Sequence, residues 1–218
     1  MLWLLRIVNV LILLWGTLSY MSNRDNLPLV LAGAGFLFFV SALYKAFTVG
    51  RGTLRGRFWM LFSMVGLSVG FAGLLHSLGN LSLFLHALSR IFLASTILMM
   101  FLGLVKRGLS PRGWRVPVVL LAFMVSMVVV FYALIHSSPV NVWDVLIGMS
   151  DILVFTFTVS NLLVYLGSDL GKRWFIGFLA VFVYILADIF FLTGKMDQSL
   201  YALVVSLFLI SIVAHIGE

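Results

Sequence analysis

A guanidinium, two carboxylates and a few imidazoles carry nearly all the chemistry this chain can offer. His86 and Arg90 stand one helical turn apart inside the apolar run Leu81–Leu104, LSLFLHALSRIFLASTILMMFLGL. At ~1.5 Å per residue, Arg90 falls roughly 13 Å in from Leu81, near the middle of a hydrocarbon layer about 30 Å thick. A guanidinium at that depth keeps its proton and costs about 3 kcal/mol on insertion scales unless a partner compensates it. Asp151 and Asp188 are set well inside other apolar runs, and depth alone puts them within reach of the arginine. Arg90 is therefore expected to pair with one or both. Tyr184, one turn before Asp188, is placed to hydrogen-bond its neighbour.

Two aspartates that share one cation can exchange that partner for a proton, a metal ion or a cationic ligand, and the arginine can alternatively hold an anionic group. His86, Arg90, Asp151, Asp188 and Tyr184 thus outline an outward-facing intramembrane pocket. The function expected of it is binding of a small ligand or ion, as a transporter or a sensor. The simplest alternative is a buried charge pair that only fixes helix registry.

A second reading is a membrane-embedded metal-dependent hydrolase acting on a lipid. His76, His86 and His136 all fall toward the outer side, and three histidines with an aspartate can ligate Zn²⁺ and activate a water. Zn²⁺ is a cofactor only under this reading; otherwise the sequence names none. Multi-helix lipid hydrolases of the alkaline ceramidase and adiponectin receptor type work this way, but their paired histidines on a late helix have no counterpart here. The last helix carries only His215, on the opposite side. The eight-span layout and the Tyr184…Asp188 segment resemble the lysoplasmalogenase-like family over the last two helices. No Gly-Asp ends the third span to extend that resemblance.

These side chains must be positioned by helices. Of 218 residues, 63% are hydrophobic and 10% charged, and the mean hydropathy is +1.19. So little charge cannot cover a water-soluble surface of this size. The expected fold is a single all-α integral membrane domain over residues 1–218, a bundle of about eight transmembrane helices. The spans read as 2–21, 27–47, 58–78, 81–104, 116–136, 144–166, 174–193 and 200–216. The first lacks a basic leader and a small-residue cleavage site, so it reads as a retained helix. Gly66, Gly70, Gly73 and Ser77 form a stripe of small residues in the third span, suited to close helix contact.

Loop charge sets the expected orientation. Arg51, Arg55 and Arg57 follow the second span, Lys106, Arg107, Arg112 and Arg115 the fourth, and Lys172 and Arg173 the sixth. The intervening loops hold only Arg24 and Lys195, each near an aspartate. Lys and Arg concentrate on the cytoplasmic side, which places both termini in the cytoplasm. The same topology accounts for the basic pI near 10.2 without nucleic acid as a partner. The partners expected are the lipid bilayer and the small ligand or ion, with a second copy of the chain or a separate cytoplasmic signalling protein left open. Cysteine is absent, so thiol catalysis and thiolate metal sites are excluded.

Overall fold

The computed structural model describes residues 2–137, 140–166 and 169–215, and every regular element among them is helical. The helices are α1 (Leu2–Ser22), α2 (Leu27–Val49), α3 (Leu54–Leu74), α4 (Asn80–Val105), α5 (Arg115–His136), α6 (Val142–Tyr165), α7 (Asp169–Leu192) and α8 (Gln198–His215). Short 3-10 turns occupy Arg24–Asn26 and His76–Leu78. Helices α1 to α6 are long and apolar enough to cross a membrane. Helices α7 and α8 contribute shorter apolar stretches, Gly177–Leu192 and Gln198–Val213. This is the build of a membrane-embedded chain.

Local chemistry sets the helix ends. Pro28 lies in the first turn of α2, where its missing N–H has no helical partner to lose. The Thr53 hydroxyl accepts from the Gly56 amide at 3.0 Å and caps α3. Asn141 and Asp144 cap α6 reciprocally, so Asp144 is engaged at the helix end. Gly79, with φ +37°, turns the chain from the His76–Leu78 turn into α4.

Two expected spans shift by four residues or more. The third span, read as 58–78, runs from Leu54 to Leu74 as a helix. Ser77 falls in the exposed 3-10 turn and drops out of the small-residue stripe. The seventh span was expected from 174, but α7 begins at Asp169. The expected end of the eighth span at Ile216, the His215 side chain and the loop at 167–168 lie outside the described residues.

Six helices close into a ring in the order α2, α3, α4, α6, α7, α8, with α8 returning to α2. Helix α1 packs outside this ring on α2 and α8, and α5 outside it on α6 and α7. Their apolar windows are accordingly 22% and 17% buried, against 56% for α2 and α6. In a bilayer those outer faces meet lipid. One hydrophobic cluster fills the ring, with Phe38, Val65, Leu93, Val154, Tyr184 and Val205 from its six helices. A small satellite of Val130, Leu134 and Ile152 holds α5 to α6.

The odd-numbered connections gather at one end. Arg24, after α1, pairs with Asp197, after α7, at 3.7 Å. Gln198 at the start of α8 hydrogen-bonds His76, after α3, at 2.8 Å. Phe84 near the start of α4 meets Trp143 at the start of α6, with ring centroids 5.0 Å apart. The charged residues discussed next lie one to three turns in from this end.

Candidate functional site

Arg90 is the largest fully buried side chain among the described residues. Helix α4 makes no extensive contact with α7 or α8, so the arginine itself bridges the interior of the ring. Its Nε donates to Asp188 Oδ2 at 2.6 Å, and its Nη2 donates both to Asp188 Oδ1 and, at 2.9 Å, to the Tyr201 hydroxyl. Tyr201 in turn donates to Asp188 Oδ1 at 2.6 Å. The guanidinium plane rests over the Tyr184 ring, with Cζ 3.4 Å from its centroid. This is bidentate, charge-assisted pairing with a cation–π floor, which a lysine point charge cannot reproduce.

Asp151 stands apart from that tight set. Its Oδ1 lies 3.5 Å from Arg90 Nε, an ion pair in distance but not a hydrogen bond. Both Asp151 oxygens are buried without any hydrogen-bond donor. Arg90 Nε therefore stands beside both carboxyl groups, 2.6 Å from Asp188 Oδ2 and 3.5 Å from Asp151 Oδ1. One guanidinium thus faces two carboxylates, and the second is left over.

No family model, curated protein or solved structure matches the chain.

His86, one turn before Arg90, is buried, and its ring meets the Tyr201 ring edge-on with centroids 5.5 Å apart. Its Nδ1 has no hydrogen-bond partner, and neither does the Tyr184 hydroxyl or Arg90 Nη1. Beside His86 is a cavity of about 10 Å³, bordered by Asp188 and Tyr201 and walled by Leu83, Ile147 and Phe191. That is room for one water-sized species, between largely apolar walls. It lies between the charge cluster and the end where the odd-numbered loops gather. The structure thus brings together His86, Arg90, Asp151, Tyr184 and Asp188.

The metal set expected from the sequence is not assembled. His76 lies on the 3-10 turn, with Nδ1 on Gln198. His136 closes α5, with its Nδ1 2.8 Å from the Tyr132 carbonyl and its ring on the Tyr132 ring. His136 is exposed, at the end of a helix that packs outside the ring. Among the described residues no three His, Asp or Glu side chains are grouped to hold a metal ion.

Tyr201 is the functional candidate that sequence reasoning missed. It stands three residues into α8, and Asp188 stands four residues before the end of α7. Across the short connection between these helices, that spacing gives the two residues nearly the same depth. Depth matching across the hairpin is the signal that points to it.

Proposed function

We propose that the chain is a multi-pass membrane protein whose eight helices all cross the bilayer, with both termini cytoplasmic. It binds a small ligand or ion at the Arg90–Asp188–Asp151 cluster, as a transporter or a sensor. One observation carries this reading: Asp151 is buried with neither oxygen hydrogen-bonded, beside an arginine already committed to Asp188. A pair that only fixed registry would be complete with one carboxylate. The second carboxylate leaves the cluster one negative charge in excess, and a buried excess charge calls for a positive occupant. The cavity beside His86 holds about 10 Å³, so the access it offers suits a very small species.

Outward access rests on charge. The loops near the cluster carry Arg24 with Asp25 and Lys195 with Asp197, whereas Arg51, Arg55, Arg57, Lys106, Arg107, Arg112 and Arg115 gather at the other end. The absence of cysteine makes orientation directly testable. Ser77→Cys should react with an impermeant thiol reagent on intact cells and Ser110→Cys should not. The reverse pattern would invert the protein and close the pocket to the outside.

Binding is tested by thermal unfolding of the purified wild type and Asp151→Asn across pH and a series of small inorganic cations. An occupant at a hundredfold excess over its Kd adds about 2.7 kcal/mol. At about 2–4 °C per kcal/mol for a chain of this size, the midpoint rises by several degrees. That rise is expected in wild type and not in Asp151→Asn. Identical responses of the two proteins under every condition would leave the cluster a structural pair.

A further inference from the structure

We infer that the occupant of this cluster is a proton, held on Asp151. The inference rests on the binding reading above and narrows its ligand. Two carboxylates and one guanidinium carry a net charge of minus one, and a single proton cancels it. Asp188 is saturated by Arg90 Nε, Arg90 Nη2 and the Tyr201 hydroxyl, whereas both oxygens of Asp151 are free. Arg90 Nε lies 3.5 Å from Asp151 Oδ1 and 2.6 Å from Asp188 Oδ2, so the one cation already committed to Asp188 also borders Asp151. No other bond changes: the proton binds one carboxylate oxygen on entry and leaves it on exit.

The neighbours of Asp151 exclude larger occupants. Helix α4 presents His86 and Arg90, α7 presents Tyr184 and Asp188, and α8 reaches the cluster with Tyr201. At this end α5 carries Tyr132 and His136, both exposed, and on α6 itself Asp144 is engaged with Asn141 at the helix start. A metal cation on Asp151 would sit beside a guanidinium 3.5 Å away, with too few free oxygens to replace its water shell. An anion at Arg90 would face two carboxylates. A proton needs no coordination shell, and the water-sized cavity beside His86 borders Asp188 and Tyr201, the partners of Arg90 in this cluster.

Infrared spectroscopy of the purified protein reads this directly, because a protonated carboxyl and a carboxylate absorb at different frequencies. At neutral pH the wild-type spectrum is expected to contain one buried protonated carboxyl band that Asp197→Asn, at an exposed site, leaves in place. Asp151→Asn should abolish the band. Asp188→Asn should abolish it too, since one carboxylate then balances Arg90. Arg90→Gln should roughly double it, because two carboxylates then lack a cation. Absence of the band in wild type, or its persistence in Asp151→Asn, overturns the inference; the isosteric Asn variants decide the matter even if Arg90→Gln does not fold. If the band is absent but a metal cation raises the wild-type midpoint alone, the proton is wrong and the binding site stands. If neither response occurs, both readings fall.

Discussion

Replacing Arg90 with leucine is expected to destabilise the protein by about 3–5 kcal/mol, the largest effect of any single change in the cluster. The substitution removes three hydrogen bonds donated by the guanidinium and leaves Asp151 and Asp188 buried without a cation. It also strips the Tyr184 ring of the charge that rests on it. The partners are not equivalent. Asp188→Leu breaks the bidentate pair and takes away the acceptor of the Tyr201 hydroxyl, whereas Asp151→Leu removes a carboxylate that accepts no hydrogen bond. Asp188→Leu should therefore cost more than Asp151→Leu. Double-mutant cycles by chemical or thermal unfolding separate the two contributions. The Arg90–Asp188 coupling is expected above about 1 kcal/mol and larger than the Arg90–Asp151 coupling. Additivity within about 0.5 kcal/mol in both cycles would mean that the guanidinium is solvated and the cluster does not hold as described.

Depth was legible in the sequence and direction was not. Hydropathy marks where an apolar helix begins and ends, so the distance of Arg90, Asp151 and Asp188 from a helix end follows from counting residues. Which way each side chain points depends on the order of helices around the ring, and that order is not local information. His136 shows the difference. Its depth matches that of His76 and His86, but it is exposed at the end of α5, outside the ring, and no metal-binding group of three forms among the described residues. Tyr201 shows the converse: a tyrosine near a helix start reads as an interfacial anchor, and only the packing of α8 against α7 turns it onto Asp188. Helix boundaries erred where caps rather than hydropathy decide them, as at Thr53 before α3.

The small-residue stripe was half legible, and its missing half carries the second large prediction. Gly66, Gly70 and Gly73 mark one face of α3, but only the structure identifies what α2 sets against them: Gly35 against Gly66 and Gly70, and Pro28 and Ala32 against Gly73. A Cβ on Gly35 would lie 2.4 Å from the Gly70 amide nitrogen and 2.7 Å from the Gly66 carbonyl oxygen. A Cβ on Gly66 would lie 2.7 Å from the Gly35 oxygen and the Phe39 nitrogen. Both sets of atoms are backbone and cannot rotate away. At Gly70 the nearest atoms such a Cβ would meet belong to the Phe36 ring, at 3.0–3.2 Å, and a ring can shift. Alanine also gains about 1 kcal/mol of helix propensity over glycine, which works against each clash. Gly35→Ala and Gly66→Ala are therefore expected to destabilise by about 1–3 kcal/mol net, as overpacking forces α2 and α3 apart. Gly70→Ala should stay within about 0.5 kcal/mol of wild type. The displacement is expected to reach the charge cluster, because α3 holds α4 through the Ser82 hydroxyl on the Ala72 carbonyl at 3.0 Å, and α4 carries Arg90. Unfolding midpoints of the three variants, with the Arg90–Asp188 coupling remeasured in Gly35→Ala, test both steps. Equal stability of Gly35→Ala and wild type would show that α2 and α3 do not approach backbone to backbone. An unchanged coupling in a destabilised Gly35→Ala would show that the ring absorbs the strain before it reaches the arginine.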